Sequence, residues 1–448
     1  MTSRWQKDSA AEHLDEEVHL EAHDSRNQYN RHHLVEDTSV VGSFVVRCRV
    51  RQETEGVDDW RIRITYVQGQ EEQTVASWEE AVGYMQLMMK RGVTCMNENG
   101  MNEREKNEQS IVRLLSVGTY IPEQKMTSGD IADASGIPQH IVESKLGIRQ
   151  KPVPGPDDHP CAMGVAAAKE AIRRAQIAPE EIDLIIYIGE EYKEYPVWTA
   201  ALQLQHEIGA VNAWGFDMGS RCCTAIMAAR TAKSMMLGDS RIRTVLLAGG
   251  YRNGDLIDLT DPNTRFMANL GAGGGAMLLQ RGAGPSYPEV LDSAIITDGS
   301  FAQDVIIQAG GTKQPLTAEL LAQGQACFRV PDPERMKSRL DAVSMQRFTQ
   351  VVEQAIQGSG YTISNIDFIG LLHMKRSAHE FVLHSLGIPE ERSVYLEDYG
   401  HIGQFDPILC IELGVNRKLI QPGGIVVLAA AGIGYAWGAL TLRWGDEA

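Results

Sequence analysis

The run GFDMGSRCCTAIMAARTAK, Gly215–Lys233, carries an apolar strand end, a turn of small residues and a helix start within a few positions, and it puts a thiol at the junction. A cysteine at a helix N-terminus feels the positive end of the helix dipole and its unpaired N–H groups, which favour the thiolate. Thiolate is the form that exchanges acyl groups with thioesters. Cys222 and Cys223 both stand at that junction. Two small buried core thiols fit the same residues, because free cysteine is among the most buried types.

The flanks read as an alternating α/β chain. IVRLLSVGTYIP (Ile111–Pro122) is a strand entering a turn, HPCAMGVAAAKEAIRRAQI (His159–Ile177) an amphipathic helix, and IDLIIYIG (Ile182–Gly189) a continuous apolar strand of the kind buried on both faces. TVLLAGG (Thr244–Gly250) repeats that pattern. A glycine-interrupted apolar segment follows it, LGAGGGAMLLQRG (Leu270–Gly282), and the same succession returns as GGIVVLAAA (Gly423–Ala431) and AAGIGYAWGALTLRW (Ala430–Trp444). The echo suggests two similar halves, 111–285 and 286–448.

Upstream the texture differs. Residues 1–39 are polar and hold five of the twelve histidines, His13, His19, His23, His32 and His33, among acids. Such a segment buries too little apolar area to order itself, so a disordered tail is expected. SFVVRCRVRQ (Ser43–Gln52) and DWRIRITYVQ (Asp59–Gln68) alternate like half-buried strands, and SWEEAVGYMQLMMKR (Ser77–Arg91) has helical spacing behind a Ser N-cap. A small β-β-α module over 40–93 and a polar linker over 94–110 are expected.

The 448 residues suggest two to three domains at about 150 residues each. The net charge of −17 argues against nucleic-acid binding, which needs clustered Lys and Arg. An acidic partner such as a carrier protein would need a local basic patch. The seven cysteines, Cys48, Cys95, Cys161, Cys222, Cys223, Cys327 and Cys410, form no C-x-x-C pair and fit neither a disulfide framework nor a zinc ligand set. Reduced thiols, no metal, no membrane span and a cytoplasmic location are the expectations.

Two further stretches offer chemistry. FIGLLHMKRSAHEF (Phe368–Phe381) ends a buried strand on His373 beside a helix entry, where an imidazole can face a pocket or serve as a structural residue. YLEDYGHIGQFDP (Tyr395–Pro407) sets His401 between glycines that permit close backbone approach to a ligand, or simply a surface turn. The N–H groups near Ile433 and Gly434 can form part of an oxyanion hole.

In this order the pieces resemble the β-ketoacyl-ACP synthase III family of thiolase-fold condensing enzymes, over Ile111 to Trp444. LGIRQK (Leu146–Lys151) is similar to the family's G-I-R-x-R, FDMGSRC to its F-D-x-x-x-x-C nucleophile turn, and LGAGGGAMLL to its F-G-D-G-A-G-A. LLHMKRSA resembles its P-H-Q-A-N, EDYGHIG its G-N-T-S, and AGIGYAWGAL its G-G-G-F-T-W-G-S. The resemblance implies an α/β thiolase fold, five layers αβαβα from two similar halves, acting as a homodimer without a cofactor. It implies Claisen condensation of an acyl-CoA primer with a malonyl thioester, with acyl carrier protein as a partner. By resemblance Cys222 is the nucleophile, His373 the imidazole that stabilises the enolate, and the N–H groups of Cys222 and Ile433, with Gly434, the oxyanion hole.

The departures matter. His401 replaces the family's asparagine, giving a Cys-His-His set in which both imidazoles can donate to the thioester oxygen. Arg221 stands where a small residue is usual, which leaves Cys223 open as the alternative nucleophile, and Ala272 replaces an aspartate. IGEEYKEYPVW (Ile188–Trp198) brings Glu190 or Glu191 near the place of the catalytic glutamate of the related 3-hydroxy-3-methylglutaryl-CoA synthases, unless it is a solvated acidic turn. Trp198 and Tyr192 would narrow an acyl pocket. Lys375 and Arg376 are candidates for CoA or phosphopantetheine phosphates, or plain surface cations. A non-decarboxylating acyltransferase and a silent partner subunit of a ketosynthase are the rival functions.

Overall fold

The computed structural model describes residues 18–19, 44–51, 59–66, 71–97 and 110–446. The chain divides into two compact units, 1–103 and 104–448.

In the first unit, strands β1 (Val18–His19), β2 (Phe44–Arg51), β3 (Asp59–Tyr66) and β4 (Glu71–Val75) form an antiparallel sheet in sequence order, followed by helix Trp78–Asn97. Alternation places Ile62 and Ile64 inside and Arg61 and Arg63 outside, as the two-residue period of a strand requires. Phe44, Val46, Val75, Ala81, Tyr84 and Met88 complete this small core. Ser77 Oγ accepts from the Glu80 N–H at 3.2 Å and Glu80 accepts from the Ala76 N–H at 3.1 Å, which fixes the helix start. Two expectations need correction. The module has four strands rather than two, since the acidic EEQTV of β4 hides its period and β1 is only two residues long. The helix also continues through Asn97, into the expected linker. Beyond Val18–His19, the N-terminal tail lies outside the described residues.

The second unit contains β5 (Val112–Tyr120), the short pair β6 (Lys125–Thr127) and β7 (Gln150–Pro152), β8 (Leu184–Tyr187), β9 (Trp214–Asp217), β10 (Thr244–Tyr251) and β11 (Gly273–Arg281). β12 (Glu289–Thr297), the short pair β13 (Ile306–Ile307) and β14 (Phe328–Arg329), β15 (Ile366–Leu371), β16 (Ile425–Gly432) and β17 (Ala436–Arg443) follow. The main strands run in the order β15-β16-β17-β12-β5-β11-β10-β8-β9. β8 and β10 are parallel, β11 returns antiparallel, and β5 pairs with it; β15, β16, β17 and β12 repeat this arrangement. The halves meet at the Glu289–Arg113 pair.

Helices supply three more layers. Pro160–Ala175 packs on β5, β10 and β11, and Pro333–Gly358 on β12, β16 and β17. Thr224–Gly238 and Asp406–Asn416 lie between the halves and touch strands of both. This gives the thiolase-type αβαβα sandwich. The two central helices carry apolar residues around their circumference, Ala225, Ile226, Ala228 and Ala229 in one and Ile408, Leu409, Cys410 and Ile411 in the other, as buried helices must. Each buried Ile or Leu side chain contributes about 2 kcal/mol of transfer free energy. Among the described residues no helix is long and apolar enough to cross a membrane.

Candidate active site

The two central helices begin close together, and each is preceded by a 3₁₀ turn, Arg221–Cys223 before one and Gly403–Phe405 before the other. Cys222 therefore sits, 7% exposed, at the mouth of one helix, while His401 and Asp406 stand at the mouth of the other. His401 Nε2 lies 3.1 Å from Cys222 Sγ, and its Nδ1 lies 2.5 Å from Asp406 Oδ2. Asp406 also accepts the backbone N–H of His373 at 2.7 Å and of Ile402 at 2.8 Å. A thiol, an imidazole and a buried carboxylate thus form one line, with the carboxylate orienting the ring.

The electrostatics follow from burial and this line. Burial pushes His401 down, but the Asp406 carboxylate and the Cys222 sulfur outweigh it, and the ring is held well above its ordinary range. Burial pushes Cys222 up, while His401 opposes that shift. Sγ and Nε2 are in hydrogen-bond contact, the arrangement of a thiol with its base.

The adjacent thiols have separate environments. Cys223 is fully buried, with Sγ 3.3 Å from the Ala430 carbonyl and 3.4 Å from that of Ala436, and burial raises its pKa strongly. It faces the sheet, and Cys222 faces the histidine.

His373, buried just past the end of β15, is held by partners other than the thiol. Its Nε2 is 3.2 Å from the Gly147 carbonyl, its Nδ1 is 3.0 Å from the Asn269 amide, and its ring packs against Tyr395 at 5.4 Å. His401 takes the thiol contact because its main chain is locked there: its N–H bonds the Asn269 carbonyl at 2.8 Å and its carbonyl accepts from Gly271 at 2.9 Å. Burial lowers the His373 pKa to about 4, so the ring is neutral at pH 7.

The two glutamates also separate. Glu190 is buried and bonded by Asn253 at 2.7 Å and Arg221 at 3.4 Å, whereas Glu191 is 71% exposed and paired with the same guanidinium. Burial raises the Glu190 pKa, against the pull of Arg221 and Asn253. Arg221 adopts the left-handed φ of 52°, and its Cβ lies where a Cβ on Gly432 would meet it at 2.9 Å. The same hypothetical atom lies 3.0 Å from the Cys222 nitrogen, so the turn carrying Ile433 and Gly434 is seated against the nucleophile turn.

Trp198, Glu190, Glu191 and Lys193 line a cavity of about 370 Å³, where Lys193 is paired with Asp217. Tyr192 is exposed and does not line it. Arg376 is bonded to Glu397 at 2.9 Å and lies over the Tyr395 ring at 4.1 Å, so its charge is already engaged; Lys375 is exposed.

Sequence reasoning passed over Asp406, Asn253, Asn269 and Gly147. Asp406 had a local signal, since Asp-Pro at the start of an apolar run marks a helix N-terminus. The other three act through contacts that no local pattern encodes.

Comparison with known proteins places the chain among relatives. Residues 216–299 match the family model "3-Oxoacyl-[acyl-carrier-protein (ACP)] synthase III", and residues 356–444 match its C-terminal model. The chain is 27% identical over 338 residues to a β-ketoacyl-[acyl-carrier-protein] synthase III of Sinorhizobium medicae, covering 75% of this chain and 99% of that protein. It is 28% identical over 337 residues to the Thermosynechococcus vestitus enzyme of the same name, covering 74% and 98%. In fold it is similar to the Aquifex aeolicus 3-oxoacyl-[acyl-carrier-protein] synthase III, with a TM-score of 0.65 at 20% identity over 74% of this chain and all of that one. Xanthomonas campestris OleA, solved with lauric acid and lauroyl-CoA, superimposes with a TM-score of 0.63 at 16% identity over 75% and 99%.

Proposed function

Because this chain belongs to the 3-oxoacyl-[acyl-carrier-protein] synthase III family, we propose that it joins an acyl-CoA primer to a malonyl thioester by Claisen condensation, through an acyl group carried on Cys222. The observation that carries this reading is the line Cys222 Sγ, His401, Asp406, at 3.1 and 2.5 Å.

In the first half-reaction His401 Nε2 takes the thiol proton as Sγ attacks the thioester carbonyl carbon. The bond from that carbon to the CoA sulfur breaks, and the CoA thiolate leaves with the proton from His401. The transient oxyanion needs backbone donors, and the Cys222 N–H with that of Ile433 is the candidate pair; one such donor is worth about 3 kcal/mol. In the second half-reaction the malonyl carboxylate departs as carbon dioxide. The electron pair left behind forms an enolate, whose carbon attacks the acyl carbonyl. The Cys222 sulfur then leaves as thiolate and regains a proton. Having given its proton to CoA, His401 takes one up from solvent, favoured by the Asp406 carboxylate beside it; the protonated ring donates to the enolate oxygen and then returns that proton to the Cys222 thiolate.

Glu190 favours a second reading. A buried carboxyl with a raised pKa beside the nucleophile turn suits acid–base chemistry without loss of carbon dioxide. A silent subunit has no need of an oriented thiol–imidazole–carboxylate line. The unpaired edge strand β9, with Trp214 half exposed, supports a homodimer built through the sheet, and the thiol-rich, disulfide-free site suits the cytoplasm.

Peptide mass spectrometry after incubation with acyl-CoAs tests the reading. An acyl adduct on Cys222, absent in Cys222→Ala, is expected, followed by release of carbon dioxide when malonyl-CoA or malonyl-ACP is added. No adduct from any acyl-CoA overturns it. Adduct and product without carbon dioxide, with turnover lost in Glu190→Gln, selects the second reading.

A further inference from the structure

We propose that Asn269 is a positioning residue that fixes the tautomer of His373, and that Lys151 holds Asn269 in place. The Gly147 carbonyl can only accept, so the His373 Nε2 facing it carries the hydrogen. The Nδ1 atom then has a lone pair, which accepts from the Asn269 amide at 3.0 Å. The opposite neutral tautomer sets lone pair against lone pair at Gly147, and an imidazolium sets hydrogen against hydrogen at Asn269. With the Asn269 amide turned as it stands, one hydrogen-bonding state satisfies both partners, and burial opposes the imidazolium that a turned amide would accept.

Asn269 is itself clamped. Lys151 is 4% exposed, and its Nζ donates to the Ala268 and Leu270 carbonyls, each at 2.8 Å, on either side of Asn269. Among the described residues no carboxylate pairs with Lys151. A buried cation spent on two carbonyls is costly, which makes it a specific device rather than surface decoration. Burial lowers the Lys151 pKa to about 8. An amine that has lost one proton still has an N–H for each carbonyl, so the clamp survives a rise in pH. The clamped backbone also serves the second histidine, because the Asn269 carbonyl accepts the His401 N–H at 2.8 Å.

The consequence, which rests on the condensing reading above, is that His373 presents an N–H through Nε2. A thioester oxygen that displaces the Gly147 carbonyl meets a donor already in place, with no proton to rearrange. The Asn269 side chain thereby serves condensation, whereas its carbonyl seats the residue used in acylation.

Nitrogen NMR of protein labelled at histidine reads the ring directly, since protonated and unprotonated ring nitrogens have well-separated shifts. The signals lost in His373→Gln are expected to show protonated Nε2 and bare Nδ1 at pH 7. A ring protonated at Nδ1, or at both nitrogens, overturns the proposal whether or not the Asn269 and Lys151 variants fold. Asn269→Leu keeps the carbonyl and removes the amide; condensation is expected to fall tenfold or more, on the order of other lost orienting partners, with Cys222 acylation within about threefold of wild type. In Asn269→Asp the new carboxylate is expected to raise the His373 titration above its value of about 4. The other charges reaching that ring are Asp406, which raises it, and His401 and Arg376, which lower it, and all three stay in place. Lys151→Met is expected to lower condensation as Asn269→Leu does and, unlike it, to lower acylation too, because the Asn269 carbonyl seats His401. Equal losses of acylation and condensation in Asn269→Leu, with the tautomer unchanged, overturn the proposal. An enzyme that no acyl-CoA acylates refutes the condensing reading and leaves the tautomer measurement standing.

Discussion

The two halves of the second unit share a plan and divide the chemistry. Each has a parallel strand pair, an antiparallel return, an outer helix and a central helix entered through a 3₁₀ turn. In the first half that turn carries Cys222; in the second the corresponding turn lies between His401 and Asp406. Both helix mouths offer positive potential from unpaired N–H groups. One favours a thiolate, and the other favours the carboxylate that orients the base. Neither half holds a thiol and its base together, so the site exists only where the halves meet.

The outer layers differ in a way that fits this division. In the first half the outer helix lies on glycines: a Cβ on Gly274 would come 2.4 Å from the Met163 carbonyl, and one on Gly250 2.2 Å from that of Pro160. In the second half the outer helix Pro333–Gly358 and strand β17 carry the large, fully buried Phe348 and Trp437.

Asp406→Asn breaks the comparison hardest, because it removes the charge from one helix mouth and leaves the other intact. The amide can hold the ring but favours the wrong tautomer, and such a change costs on the order of a thousandfold or more in related triads. Cys222 acylation measured by rapid quench and mass spectrometry is expected to fall by about that factor, while circular dichroism stays native. Acylation within tenfold of wild type would make the carboxylate a purely structural group.

How much of this was readable in advance varied with how local each signal was. The order of strands and helices, the two halves and Cys222 at a helix mouth follow from periodicity and turn composition, which act within a few residues. The resemblance favoured Cys222 over Cys223 but left Cys223 open, because neighbours in a turn point in different directions and only packing sets which one faces the sheet. Glu190 and Glu191 pose the same problem, resolved here by burial and by Asn253 reaching Glu190, while Arg221 pairs with both. His373 was legible as a strand-end histidine, but its contacts with Gly147 and Asn269 span 226 and 104 residues of sequence. β4 was missed because EEQTV presents acids where a strand usually shows alternation.

His373 and His379 offer a second test, confined to the base half. Burial holds both near a pKa of about 4, against 6.5 for the free ring. A depressed value means that the native state resists protonation while the unfolded chain accepts it, so stability present above pH 6.5 is lost as the pH falls toward 4. At a differential of 1.36 kcal/mol per pH unit, each ring costs about 2 kcal/mol by pH 5. Urea midpoints between pH 7 and 4.5 are expected to fall, with the slope halved in His379→Gln. A flat profile would mean that neither ring is buried in its neutral form.

The smallest effect expected comes from the second of the paired thiols. Cys223 touches the Ala430 and Ala436 carbonyls across the sheet of the other half, and a Cβ added at Gly438 would lie 3.7 Å from its sulfur. Replacing Cys223 with alanine removes one buried atom from a packed layer, a cost of about 1 kcal/mol, and leaves the line from Cys222 to Asp406 untouched. Acyl transfer is expected to stay within about threefold of wild type, because the thiol lies outside that line and gives its weak donor to backbone. Retained acylation in Cys223→Ala, beside its loss in Cys222→Ala, assigns the reacting sulfur to the residue whose side chain crosses from one half to meet the imidazole of the other. The reverse result would place the chemistry against the sheet, where the sulfur's hydrogen-bond partners among the described residues are backbone carbonyls and not a base.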